Sequence, residues 1–314
     1  MITTVTLNPA IDKTLTIEDF ELNKVNRVSK ISEGLGGKGI NVSKVLNYLG
    51  TKNIAIGFIG EKNYSRVQSL NLVDPIDTDF VLVDANTRTN TKIIDPNSHD
   101  TTDINEAGFE VNTKHIEQMQ TLISNYSKQS EYIIFSGSLC QGMSQDIYQN
   151  LLKRVDKNCR LVVDADGEML KTSLLESPFL IKPNIHELER LLNQKLKSSE
   201  EIVDACKTLI LKYQIQYILV SLGEEGSMLV SKDNCLKANA LKVEVVSTVA
   251  AGDSMLAAFL SNYKVSKNTK EALRYGACAG SLAVCDTSTD IFKTKTIEEV
   301  IHKIAVSNCQ GEKL

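Results

Sequence analysis

The chain has 314 residues, a formal net charge of −4, and hydrophobic and charged residues at 42% and 24%. That length can bury one large α/β core. The mildly acidic balance speaks against a nucleic-acid-binding surface, and no run of about 18 apolar residues is present to span a membrane. Seven cysteines without a C-x-x-C pair are expected as free or buried thiols of a cytoplasmic protein, not as a disulfide or zinc framework.

In chain order, Ile2–Leu7 is a β-branched run stopped by Asn8-Pro9, hence a first strand with Asp12 just past its C-terminal end. Leu15-Thr16-Ile17 and Arg27–Ile31 are expected as two short, half-polar strands outside the main sheet. Gly34-Leu35-Gly36-Gly37-Lys38-Gly39 then opens a helix carrying Ile40, Val42, Val45, Leu46 and Leu49 on one face and ending at Gly50. Lys38 and Asn41 sit at its start, beside N–H groups that no helical carbonyl accepts from, which suits a hydroxylated or phosphorylated ligand. Gly34, Gly36 and Gly39 also satisfy the dinucleotide pattern G-x-G-x-x-G. That pattern should join the first strand to the first helix directly, whereas here residues 8–33 intervene.

A strand is expected over Asn53–Ile59 and a helix over Tyr64–Leu72. Two more short strands, Phe80–Val83 and Thr91–Ile94, flank Arg88, and with the earlier pair they are expected to build a small separate sheet. Alternation follows. Helix Thr113–Tyr126 precedes strand Tyr132–Phe135, which ends at Ser136-Gly137-Ser138, and helix Gln145–Val155 precedes strand Arg160–Val163, which ends at Asp164. Strand Phe179–Ile181 ends at Lys182-Pro183-Asn184. Helices Ile185–Leu192 and Glu200–Lys212 lead to strand Tyr217–Val220 and the turn Ser221–Gly226, and Met228–Val230 is expected as an antiparallel addition. Such alternation predicts a mostly parallel sheet with helices on both faces and a ligand site along its C-terminal edge. An apolar strand over Val243, Val245 and Val246 should then run through Ala250-Ala251-Gly252-Asp253 into a helix with Met255, Leu256, Phe259 and Leu260. Helices over Thr269–Val284 and Ile297–Val306 close the chain. The turn at 250–253 pairs bare helical N–H groups with a carboxylate, although a capping aspartate alone would look the same.

Two glycine-rich helix starts, one with Lys38 and Asn41 and one with Asp253, together with Leu7–Asp12, Thr87–Asn90, Ser136–Leu139, Lys182–Glu187 and Val220–Gly223, resemble the ribokinase-like carbohydrate kinases over almost the whole chain. The similarity leans to the branch containing 1-phosphofructokinase and tagatose-6-phosphate kinase. It implies a three-layer α/β/α ribokinase-like fold, with residues 1–314 as a single domain and a small β-sheet lid from about 13–33 and 79–95. It implies ATP-dependent phosphorylation of a sugar phosphate, fructose 1-phosphate first and tagatose 6-phosphate as the alternative. Asp253 would be the general base, and Ala250, Ala251 and Gly252 an anion hole. Asp12, Gly37, Lys38, Asn41, Arg88, Ser138 and Arg27 would bind the sugar phosphate. Lys182, Asn184, Ser221, Gly223 and Gly226 would meet ATP, and Glu187 would organise Mg²⁺ through water. A homodimer packed through the lid is also implied. The family usually has glycine where this chain has Ala250, which leaves open a catalytically weak sugar-phosphate-binding regulator. A nicotinamide-dependent dehydrogenase is the third reading.

Overall fold

The computed structural model describes residues 1–98, 100–245, 250–285 and 296–309. The chain opens with β1 (Ile2–Thr6), β2 (Ala10–Thr16) and β3 (Lys30–Gly36). Next come α1 (Lys38–Tyr48), β4 (Asn53–Gly60), α2 (Tyr64–Val73) and β5 (Thr78–Val83), then β6 (Arg88–Ile94) and β7 (Thr101–Asn105). Alternation runs through α3 (Thr113–Ser127), β8 (Tyr132–Ser136), α4 (Gln145–Leu152), β9 (Arg160–Asp164), α5 (Gly167–Leu174) and β10 (Leu180–Ile181). It continues through α6 (Ile185–Leu192), α7 (Ser199–Tyr213), β11 (Tyr217–Ser221), β12 (Ser227–Val230) and β13 (Cys235–Ala238). α8 (Ala251–Ser266), α9 (Thr269–Ala283) and β14 (Val306–Asn308) complete it.

Among the described residues, ten strands form one sheet in the order β14-β13-β12-β11-β10-β9-β8-β1-β4-β5. Every neighbouring pair from β5 to β11 is parallel, and β12, β13 and β14 are added antiparallel. Because side chains alternate along a strand, each central strand feeds two cores. Val5, Ile133, Phe135 and Val163 pack against α3, α4, α5, α6 and α7. Ile2, Ile134, Val162, Leu180 and Leu219 pack against α1, α8 and α9. This is the three-layer sandwich expected from the alternation.

A second, four-stranded sheet has the order β3-β2-β6-β7. Its register lines Asp12, Asn90 and Asn105 in one row and Thr14, Lys92 and Asp103 in the next, all on one face. All six line the large cleft described below. Among the described residues, no helix is long and apolar enough to cross a membrane.

Several local expectations need correction. Phe80–Val83 is not in the small sheet: it forms part of β5, beside β4 in the main sheet, because Val81 and Val83 bury into the core with Ile56 and Phe58. The fourth strand of the small sheet is instead β7, an exposed polar run without an apolar pattern. Residues 25–29 are irregular, and the pairing with β2 starts at Lys30. Residues 241–245 form no strand, and 246–249, the remainder of that expected strand and turn, lie outside the described residues. Instead of one helix over 297–306, a turn of α-helix and a 3₁₀ turn precede β14. Cys235 and Cys309 are paired in a disulfide, and Cys140, Cys159, Cys206, Cys278 and Cys285 remain thiols. The two partners are brought together by the antiparallel β13–β14 edge, a non-local pairing that cysteine spacing does not reveal.

Candidate active site

The C-terminal ends of β1, β8, β9, β10 and β11, the start of α1, the start of α8 and the polar face of the small sheet surround one cleft of about 2150 Å³. Two of the helices that open on it start without a side-chain cap, as does α2 at Asn63, which lies away from the cleft. α3, α4, α5, α6, α7 and α9 are capped by Asn112, Ser144, Asp166, Asn184, Ser198 and Asn268. α1 and α8, both opening on the cleft, have Gly37 and Ala250 at that position and no side-chain cap. Gly37 sits at φ 118°, which a side chain resists, so a capping residue would be strained there. The first helical hydrogen bonds come from Asn41 N to Gly37 O (2.9 Å) and from Ser254 N to Ala250 O (2.8 Å). The N–H groups of Lys38–Ile40 and of Ala251–Asp253 therefore have no helical acceptors, and the partial positive charge of both helices is left for an anion.

Ala250 is in the left-handed region at φ 65°, ψ 0°. The methyl group makes that conformation cost about 1–2 kcal/mol over glycine. The turn is strained, and Ala250 is not an ordinary helical residue.

Asp253, in the first turn of α8, is 5% exposed. Its Oδ2 accepts a hydrogen bond from Asn41 Nδ2 at 2.9 Å, which ties the two bare helix starts together. Burial, then repulsion from Asp164, pushes its carboxyl up to about 6, against the pull of Lys38 and Lys182. Such a group is ionised at neutral pH yet basic enough to take a proton.

Asp164 was only a strand end in the sequence. Here it is the most deeply buried charge of the cleft, 1% exposed, and its Oδ1 meets Lys182 Nζ at 3.3 Å and Lys38 Nζ at 3.4 Å. Its Oδ2 is buried without a hydrogen-bond partner. Burial would raise its carboxyl, but Lys182 and Lys38 outweigh that and hold it below its ordinary value. The same Asp164 raises Lys38 against the opposing effect of burial. Strand parity explains the cluster: Asp164 lies two residues after Val162 and Lys182 two after Leu180, so both continue the face that packs on α1 and α8. That parity was the available sequence signal.

Of the expected sugar-side residues, Asp12, Gly37, Lys38, Asn41, Arg88 and Ser138 line the cleft, whereas Arg27 is exposed and does not. Asp12 accepts from Asn90 Nδ2 at 3.2 Å, and burial pushes its carboxyl up. Arg88 spends three N–H groups on backbone carbonyls: Nε on Pro9 (3.3 Å), Nη1 on Glu106 (2.8 Å) and Nη2 on Asn8 (3.0 Å). Two of its five N–H groups are left for a ligand. Lys182, Asn184, Ser221, Gly223 and Gly226 line the other half of the cleft. Glu187 does so too, but its Oε2 accepts from Asn184 N while Asn184 Oδ1 accepts from Glu187 N, both at 2.8 Å, a reciprocal cap on α6.

A cleft with room for two ligands, two helix starts open to anions and a buried proton acceptor between them can move a phosphoryl group. Residues 5–296 match the sequence model of the pfkB family carbohydrate kinase. The chain belongs to that family. It is 32% identical to the 1-phosphofructokinase of Borreliella burgdorferi over 90% of this chain and 91% of the other. It is 30% identical to the tagatose-6-phosphate kinase of Staphylococcus epidermidis over 98% and 99%. The crystal structure of phosphofructokinase-2 from Escherichia coli in complex with potassium superposes with a TM-score of 0.89 at 26% identity, covering 96% and 98%. The architecture is therefore ribokinase-like, and the chain is a carbohydrate kinase, a phosphotransferase.

Proposed function

We propose that this kinase transfers the terminal phosphoryl group of ATP to a hydroxyl of a sugar phosphate, with fructose 1-phosphate as acceptor and fructose 1,6-bisphosphate and ADP as products. The observation that carries the reading is Asp253, a buried carboxylate held by Asn41 at the start of an uncapped helix. Asn41 occupies Oδ2, and Oδ1 is left to receive the proton of the attacking hydroxyl. The new O–P bond forms as the bond from phosphorus to the bridging oxygen of ADP breaks, and the N–H groups of Ala251 and Gly252 meet the charge on the group in flight. Asp12 orients the sugar hydroxyls, while Arg88 and Ser138 reach the phosphate the sugar already carries. Lys182, Ser221, Gly223 and Gly226 face the nucleotide.

Mg²⁺ fits the donor set. The Glu187 carboxylate and the Asn184 side-chain oxygen are hard oxygen donors lining the cleft, as a hydrated magnesium ion needs. Glu187 and Asn184 would hold it through water, and it would supply neutralisation of phosphate charge. The polar face of the small sheet acts as a lid that excludes water from the reaction. Its other face exposes Ile31 and Ile104, with Leu22 and Val25 alongside, which supports a homodimer through the lid. Similarity to the tagatose-6-phosphate kinase favours tagatose 6-phosphate as the second acceptor.

The test is an assay of ADP formation with ATP, Mg²⁺ and a panel of sugar phosphates. Turnover on fructose 1-phosphate well above tagatose 6-phosphate is expected. The reverse order would move the assignment to the second acceptor, and binding of sugar phosphate without ADP formation would leave a regulator instead of an enzyme.

A further inference from the structure

The sequence resemblance placed Lys38 on the phosphate that the sugar already carries, and the geometry points elsewhere. Lys38 and Lys182 meet the same oxygen of Asp164, at 3.4 Å and 3.3 Å, so their ammonium groups can be no farther apart than those two contacts laid end to end. Lys182 Nζ lies against the start of α8, since a β-carbon at Gly252 would sit 2.9 Å from it. Lys38 is thereby held beside the same uncapped turn. The Asp164 contacts are longer than the usual charge-assisted bonds, and an ammonium has three N–H groups, so both lysines retain donors for an anion.

Asp253 is a second carboxylate in this cluster and Glu187 of α6 a third, which acts on Lys38; Lys38 and Asn41 of α1, Asp164 at the end of β9 and Lys182 after β10 are the charged and polar groups that act on Asp253. With Asp164 neutral, the two cations would turn to the buried carboxylates that remain, Asp253 and, for Lys38, Glu187 of α6. An ammonium paired to Asp253 would hold its proton-accepting oxygen and weaken it as a base.

We propose that Asp164 is a positioning residue: it brackets Lys38 and Lys182 on the phosphoryl side of the cleft and off Asp253, so that both cations serve the group in flight while the base stays free. The inference rests on the sugar-phosphate kinase reading and deepens it. Lys38 then acts on the transferred phosphoryl group, and the phosphate of the sugar is left to Arg88 and Ser138.

The test combines Asp164→Asn, Asp164→Glu and Lys38→Met, assayed with ATP, Mg²⁺ and whichever sugar phosphate the wild-type enzyme turns over fastest. For Asp164→Asn, kcat should fall about 10²-fold, as for loss of an oriented electrostatic group, with KM for the sugar phosphate little changed. The acid limb of its pH–kcat profile should move to lower pH, because repulsion from Asp164 is lost and the freed lysines stabilise ionised Asp253 as well. Asp164→Glu should recover a substantial part of kcat by restoring the charge. Lys38, more exposed at 39%, tolerates replacement even if Asp164→Asn fails to fold. Lys38→Met should lower kcat while KM for the sugar phosphate stays nearly constant. A lowered kcat in Asp164→Asn with an unmoved acid limb would reduce Asp164 to a structural role and overturn the proposal. A Lys38→Met enzyme with raised KM and intact kcat would return Lys38 to the phosphate of the sugar and overturn it too. A wild-type enzyme without turnover on the whole panel would instead sink the kinase reading, and the two failures are thus distinguishable.

Discussion

Helix α8 joins opposite ends of the central sheet, and the two ends handle charge differently. At its start the cleft leaves polar groups unsatisfied: Thr6 Oγ1, Asn8 Oδ1, Asn90 Oδ1 and Asp164 Oδ2 are buried without a hydrogen-bond partner. At its other end Lys267 ion-pairs with Glu131, which also pairs with Arg160. The Arg160 guanidinium donates to Tyr132 OH at 2.9 Å and lies 5.0 Å from the ring centre of Phe179. Tyr217 and Tyr263 share a hydrogen bond of 3.2 Å, with Lys267 over the Tyr263 ring. Arg160 and Lys267 each have an ion-pair partner and an aromatic ring to rest on. One end spends its interactions on holding the helix, and the other keeps donors and acceptors open for a ligand. Substitutions at the two ends should therefore fail in different ways.

The largest effect short of removing the base is expected at Gly252. An added methyl group would lie 2.9 Å from Lys182 Nζ and 3.5 Å from Cε, forcing the lysine away from the helix start. Gly252→Ala should lower kcat about 10²-fold with little change in melting temperature. Full activity would show that the contact between Lys182 and this turn is dispensable. At the opposite end, Arg160→Ala should leave kcat intact and cost about 1–2 kcal/mol of stability in chemical denaturation, from two ring contacts and an ion pair. A loss of turnover without a loss of stability would erase the contrast between the two ends. The smallest change is Ala250→Gly, which relieves a left-handed backbone and should stabilise by about 1 kcal/mol. A destabilised variant would mean that the methyl group packs better than it strains.

The central sheet was legible because its strands are buried on both faces and read as apolar runs ending in Ser, Asp, Lys or Asn. The small sheet was harder. β7 is Thr101-Thr102-Asp103-Ile104-Asn105, without a pattern that distinguishes it from a loop, while the apolar Phe80–Val83 was assigned to the small sheet and belongs to the large one. Only the third dimension assigns Val81 and Val83 to the core. Within the site, Lys38, Asn41 and Asp253 stood out because glycine-rich turns precede helices. Asp164 did not, since one aspartate after an apolar strand is ordinary; its meaning comes from two lysines distant in the chain converging on one oxygen. Arg27 failed for the opposite reason. Its charge suggested phosphate, but the irregular segment that carries it leaves it exposed, away from the cleft.

The pH dependence follows from Asp253 and has two faces. Catalysis needs the ionised carboxylate, so kcat should fall tenfold per unit of pH below about 6, where burial and Asp164 have placed its titration. Stability runs the other way. The folded value lies above the ordinary 3.8, so ionising Asp253 costs folded stability; the cost is absent below about 4, grows as pH rises and is complete above about 6. The most direct measurement is phosphoryl transfer and thermal melting of Asp253→Asn at neutral pH. The predicted result is a loss of turnover of roughly 10²–10⁴-fold with a melting temperature equal to or above that of the wild type, since the isosteric amide removes a buried charge. A variant that keeps most of its turnover would contradict the assignment of Asp253 as the base.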